Sequence, residues 1–300
     1  MYKRQKYGGK EFAIQVKGLE MAGYDPRGAW GQGLSYSVAN RGACHLASAI
    51  FVVENYFEFL DKYSTKGKAE FVWYFENLYN AINSLQLCIF EIYAFGMEQQ
   101  IIRLTPKLLL RLVMKYFPKL AIKLIDMSIY SKFFEAVTGI KLNLKQFLKA
   151  GERTNVLERY LNTQLGVTSE DDTLPERFLK EGRETDPQKH VVPLKKMLIH
   201  YYKIRGYDQN GIPTNKLLKK LELEHLLTEK IFFSPSFPLV APSNPKDSRF
   251  LWSPRPRIIP HAPVTDPLLV MLTPKLFSSF SKKGLLKTPY TRPSSRSNGV

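Results

Sequence analysis

Lys68-Ala69-Glu70-Phe71-Val72-Trp73-Tyr74-Phe75-Glu76-Asn77-Leu78-Tyr79-Asn80-Ala81-Ile82-Asn83-Ser84-Leu85-Gln86-Leu87 decides the fold class. Phe71, Phe75, Leu78, Tyr79, Ile82 and Leu85 recur at three- and four-residue steps. That spacing stacks them in one apolar stripe along a helix and leaves no alternation for a strand. The same period returns downstream. Asn143 to Leu161 places Leu144, Phe147, Leu148, Val156, Leu157, Tyr160 and Leu161 on or near one side. Thr105-Pro106 reads as N-cap and first residue of a helix from Lys107 to Lys115, with a break at Pro118 and a second run to Met127. Val192 to Tyr202 and Asn215 to Leu221 add two more, and Glu11 to Val16 is the only weak strand candidate. The class expected is all-α, with no internal repeat.

A chain of 300 residues, 44% hydrophobic and 13% aromatic, can bury a sizeable core. Two cysteines, Cys44 and Cys88, are too few for a disulfide framework, and no secretory leader is recognisable, so a cytoplasmic setting is expected. The longest apolar runs, such as Ala47 to Val53, are interrupted by Glu54, Arg111 and Lys115 well short of the roughly 18 residues a membrane span needs. The net charge of +17 would point to a polyanion, yet residues 231–300 carry ten Lys and Arg against two Asp, nearly half of the excess. They also hold twelve of the nineteen prolines, which resist helix and sheet alike. Three segments are therefore expected: a non-native leader over 1–7, of the kind a library adapter would encode; an all-helical domain over 8–230; and a disordered or read-through basic tail over 231–300.

Chemistry-bearing residues are few. Cys88 follows the first stripe, and a lone Cys on an apolar segment is usually a small buried hydrophobe, while a thiolate there would suit an iron–sulfur cluster. His45, in Asn40-Arg41-Gly42-Ala43-Cys44-His45, sits among small and apolar neighbours and reads either as a satisfied core histidine or as a proton-handling group. Asp25-Pro26-Arg27-Gly28, with glycines at 31 and 33, matches neither a dinucleotide fingerprint nor a Walker loop, so turn chemistry is the simpler reading. Glu170-Asp171-Asp172 lacks the spacing of a calcium loop and reads as acids balancing Arg153, Arg159 and Arg177.

Taken in order, these segments resemble a known family. Lys17-Gly18-Leu19-Glu20, Asp25 to Gly28, Arg41 to His45, Asn83 to Cys88, Glu152-Arg153, Leu157-Glu158-Arg159, Asp171 to Phe178 and Arg205 to Thr214 are similar to the C-terminal part of the tungsten-dependent aldehyde ferredoxin oxidoreductases. The resemblance covers Gly8 to Leu227 and implies oxidation of an aldehyde to a carboxylic acid, with ferredoxin as acceptor. It also implies a tungsten or molybdenum bis-pterin and a [4Fe-4S] cluster. On this resemblance His45 is the catalytic side chain, Asn83 and Leu87 lie in the element that binds the pterin, and Cys88 supplies one cluster thiolate. The other three thiolates belong to a Cys-x-x-Cys-x-x-x-Cys segment absent from this sequence, so the fragment alone is expected to be inactive without an N-terminal cofactor domain.

The sequence departs from the family's Asp-x-x-Gly-Leu-Cys element at two places. Asn83 replaces the Asp that accepts hydrogen bonds from the pterin, a change worth about 1.5–3 kcal/mol for a charge-assisted bond. Gln86 replaces a glycine, so a clash with the cofactor or another loop path is expected. Two rivals stand beside the oxidoreductase reading: a basic helical binder of nucleic acid or anionic membrane, and a pseudo-enzyme scaffold that has lost pterin binding. The family reading predicts no membrane and no nucleic-acid partner.

Overall fold

In a computed structural model, residues 12–227 are described. The expected leader over 1–7 and tail over 231–300 lie outside them. A minimal antiparallel hairpin, β1 (Gln15–Val16) and β2 (Leu19–Glu20), pairs Val16 with Leu19 and precedes a 3-10 turn at Pro26–Gly28. Helices follow: α1 (Trp30–Val38), a π-helical turn (Val52–Tyr56), α2 (Lys68–Asn83), α3 (Glu91–Met97), α4 (Gln100–Leu104), α5 (Lys107–Tyr116), α6 (Pro118–Leu124), α7 (Ser128–Thr138), α8 (Leu144–Gln164), α9 (Glu176–Lys180), α10 (Leu194–Arg205) and α11 (Asn215–Lys220). The all-α expectation holds, and the weak strand candidate ends in β1. No helix among the described residues is long and apolar enough to cross a membrane.

Helix α2 is the axis of the domain, packed against α8, α10, α1 and α6. Its expected stripe is buried: Phe71, Leu78, Tyr79 and Ile82 are at most 1% exposed. Each such side chain contributes about 1.5–3 kcal/mol by leaving water. The α2–α8 crossing is set by Gly151, where a Cβ would stand 1.9 Å from the Asn77 carbonyl oxygen. Only a residue without a side chain permits that approach. Helix α8 starts at a capping box, Asn143 accepting from the Gln146 amide at 2.9 Å and Gln146 accepting in return.

Two buried polar contacts lock the axis to its neighbours. Glu54 of the π-helical turn pairs with Lys68 at the start of α2, both fully buried. The same carboxylate accepts from the amides of Gly31 and Gln32 at 2.8 and 2.9 Å, which caps α1 where its own N-cap, Ala29, offers no side-chain bond. On the other side Arg205 of α10 donates to Glu76 at 2.6 Å and to Asn77, and Tyr201 donates to Glu76 at 2.6 Å.

Helix α7 was not expected, and Thr105 does not cap α5: Pro106 takes that place, while Thr105 closes α4. Along α4 to α6, Leu104, Leu108, Leu112, Tyr116, Leu120 and Leu124 recur every four residues, each preceded by Lys or Arg, and all six are exposed.

Candidate functional site

Lys17, in the hairpin turn, is the keystone under the first candidate loop. Its buried ammonium donates to the carbonyl of Ser37 and, at 3.2 Å, to that of Ala39, so a cation closes the C-terminal end of α1. It also pairs with Asp172 at 2.6 Å. Asp172 in turn accepts from both Arg159 nitrogens at 2.8 and 2.7 Å and from the Tyr202 hydroxyl at 2.5 Å. Burial lowers the Lys17 ammonium below the ordinary lysine value against the pull of Asp172. Burial alone would raise the Asp172 carboxyl, but Lys17 and Arg159 outweigh it and hold it below the usual carboxylate range. Of the arginines expected to balance the acidic stretch, Arg159 does so; Arg153 turns instead to Glu222 at 3.2 Å.

From this base the chain turns into the loop that carries His45. The Asn40 side chain donates to the Asn155 carbonyl at 2.9 Å and to Glu158 at 3.2 Å, and its own carbonyl accepts from Asn162 at 2.8 Å, which fastens the turn to α8. Gly42 holds φ at +98°, and a Cβ there would meet the Val16 carbonyl oxygen at 2.6 Å. The glycine of Arg-Gly-x-x-His is thus demanded by both backbone and space. Cys44 is buried, its sulfur accepting from Arg41 at 2.6 Å and from the Leu46 amide at 3.3 Å. His45 is half-buried with its ring 5.7 Å from that of Tyr24, which stacks on Phe51 at 4.0 Å. Burial first, and Arg41 second, lower its pKa, so the neutral imidazole dominates near pH 7.

The second candidate loop leaves α2. Leu85 and Gln86 donate backward to the carbonyls of Ile82 and Asn83 at 2.8 and 3.0 Å, and Gln86 takes φ of +56°. A glycine-type backbone is therefore kept although the residue is not glycine. Asn83, Gln86 and Cys88 are exposed, and Leu87 is partly buried against the core. The sequence suggests a buried thiol at Cys88 beside an apolar helix, but Cys88 is exposed because it lies in the turn beyond α2, and Cys44 is the buried cysteine. Nearby, burial, then Glu91, then Cys88 push the Tyr130 hydroxyl up to about 12.

The two loops share a fastening that the sequence did not disclose. Tyr93, on the helix that follows Cys88, donates to the carbonyl of Ala49 at 2.8 Å, just beyond His45. The Tyr79 hydroxyl of α2 meets it at 2.5 Å. Beside this region Asp25 caps the 3-10 turn and grips Arg27 at 2.7 Å, the turn chemistry expected. A second unread cluster joins Asp186, His190 and Tyr63: His190 contacts Asp186 at 2.8 Å and stacks on Tyr63 at 3.9 Å. Asp186 and His190 stand four residues apart, while Tyr63–His190 and Tyr93–Ala49 join segments distant in sequence that no spacing rule connects.

Among the described residues no three His, Cys, Asp or Glu side chains are grouped so as to hold a metal ion. An exposed thiol such as Cys88 has the chemistry to serve as one corner of a metal cluster, the remaining corners coming from other residues.

The site and scaffold define a class: a helical domain whose histidine-bearing and cysteine-bearing loops are joined through Tyr93. Residues 2–223 match the family described as aldehyde ferredoxin oxidoreductase, domains 2 and 3. The chain belongs to that family. It is 32% identical over 228 residues to the tungsten-containing aldehyde ferredoxin oxidoreductase of Pyrococcus horikoshii, covering 74% of this chain and 33% of that protein. The protein of the same description in Thermococcus kodakarensis is 33% identical over 218 residues, 71% of this chain and 31% of its own length. The Pyrococcus furiosus protein is likewise 33% identical over 219 residues. The chain thus spans about a third of the curated relatives it matches.

Proposed function

We propose that this chain is the part of an aldehyde-oxidising enzyme that supplies one cluster thiolate and the proton-handling imidazole, with ferredoxin receiving the electrons. The observation that carries the reading is the joining of the two loops: Cys88 is exposed just after the left-handed turn at Gln86, and Tyr93 ties that loop to the one bearing His45. When bound, a tungsten or molybdenum bis-pterin would supply the two-electron redox change and a [4Fe-4S] cluster would carry the electrons onward. The residues of this chain do the rest. The Cys88 thiolate would anchor the cluster edge. Asn83, exposed at the end of α2, would offer its carbonyl oxygen to pterin amino groups, and Leu87 packs the loop against the core so that its backbone is held at a fixed height. His45, neutral because burial and Arg41 disfavour its cation, would hydrogen-bond the aldehyde oxygen and take up the proton released on oxidation. The retained left-handed backbone at Gln86 supports a loop path like the family's, with the side chain as the added bulk.

Since Cys88 has no companion ligands among the described residues, activity requires a cofactor-binding partner segment. Anaerobic co-expression with the N-terminal two-thirds of a related enzyme, followed by iron and tungsten analysis and aldehyde-dependent dye reduction, tests the reading. The assembled protein should hold both metals and oxidise aldehyde, and Cys88→Ser should lower iron selectively. Metal-free protein from a stable assembly would refute it.

A further inference from the structure

A pocket of about 300 Å³ opens beside the His45 loop, between the Gly23–Asp25 turn, Gly28, Asn55 and two cations, Lys62 and Arg183. Tyr24 lines it, and the centroid of the Tyr24 ring lies 5.7 Å from that of His45. The charge of this pocket is positive. Its one carboxylate, Asp25, is already neutralised, accepting from the Arg27 amide at 2.9 Å and from its guanidinium at 3.1 and 2.7 Å.

Arg183 is held in place rather than free to wander. Its Nη2 donates to the Tyr63 hydroxyl at 3.3 Å, and Tyr63 lies flat on His190, whose ring and amide are bound by Asp186 at 2.8 and 2.9 Å. The guanidinium lies over Gly28, where a Cβ would come within 3.4 Å. The Lys62 ammonium stands over the same Tyr63 ring at 5.5 Å. One tyrosine therefore supports both cations at the pocket rim. The Arg183 Nε is buried and has no hydrogen-bond partner.

We propose that this pocket receives the anionic end, a carboxylate or phosphate, of an aldehyde whose carbonyl is addressed by His45. The proposal rests on the reading of His45 given above and adds the substrate class: short aldehydes bearing a second, negatively charged group. A planar guanidinium beside an ammonium suits either oxyanion. A volume of 300 Å³ accommodates such a group with a few carbons and little more.

The probe is inorganic phosphate, titrated into the full 300-residue chain and followed by ³¹P line broadening at constant ionic strength. Saturable binding is expected. Lys62→Gln and Arg183→Gln should each weaken it about tenfold to a hundredfold. Lys62 is exposed and its variant leaves the fold intact. The control Lys132→Gln, at an exposed lysine that does not line the pocket, should change nothing. Succinic semialdehyde should displace phosphate, and butanal should not. Unaltered phosphate affinity in both pocket variants, or equal displacement by butanal, would overturn the proposal. Because the assay needs no cofactor, phosphate binding without aldehyde oxidation in the assembled protein would sink the catalytic reading alone, and oxidation without phosphate binding would sink the pocket alone.

Discussion

Replacing Asp172 by Asn keeps the side chain's shape and deletes its charge. Three residues direct four donors at this carboxylate, Lys17 at 2.6 Å, Arg159 at 2.8 and 2.7 Å, and Tyr202 at 2.5 Å, with the ion-paired side chains no more than 2% exposed. An amide offers one acceptor oxygen and turns its NH2 toward the other donors. Two buried cations are left without a counter-charge, a change that costs about 3–5 kcal/mol. For a domain of this size each kcal/mol moves Tm by about 2–4 °C, so a fall of roughly 6–20 °C is expected. Urea unfolding followed by circular dichroism gives the free energy directly. The sign with pH is also fixed. The folded Asp172 pKa lies below the ordinary value of about 3.9, so its stabilisation is present above that value and is lost as pH falls through the folded pKa. Asp172→Asn should lose that acid limb. Adding Lys17→Met should recover part of the loss by removing one orphaned cation. A stability change under about 1 kcal/mol for Asp172→Asn would refute the view that this network holds the His45 loop.

Gly151→Ala would place a methyl 1.9 Å from the Asn77 carbonyl oxygen, so α2 and α8 must separate; a loss of about 1–3 kcal/mol or more is expected from chemical denaturation. Gln86→Gly should raise stability by about 0.5–1 kcal/mol by relieving the left-handed backbone, read as a higher urea midpoint. His45 should titrate below the ordinary histidine value of about 6.5 by NMR of its ring carbon, and Arg41→Gln should move it only partway back because burial is the larger cause. Between the folded pKa and about 6.5 the unfolded chain binds more protons, so His45 makes stability rise with pH across that window, its penalty being complete below the folded value.

Periodicity made α2 and α8 legible because their apolar residues fall on one face. It misled along α4 to α6, where an equally regular row from Leu104 to Leu124 is exposed; spacing reports which residues share a face and not whether that face is covered. It also passed over α7, whose Phe133 and Val137 are exposed and blur the stripe. On α8 the buried face includes Glu152, Arg153 and Arg159, which no hydropathy rule would place inside. Their partners, Asp172 and Glu222 among them, arrive from elsewhere in the chain. The same limit governs the site. Gly42 and the turn after α2 were readable as motifs, and the resemblance singled out His45 and Cys88. Tyr93, Arg183 and the Asp186–His190–Tyr63 stack depend on tertiary proximity that a linear pattern does not encode.

Helix α1 is buried at nearly every position, yet its first turn has no local cap; Glu54, more than twenty residues later, satisfies it while also neutralising Lys68. That helix has no autonomous reason to nucleate. Its start is satisfied by the π-helical turn and by the head of α2 through Glu54, so three segments support one another there. The histidine loop, which hangs from the far end of α1, thereby depends on contacts made by all three segments.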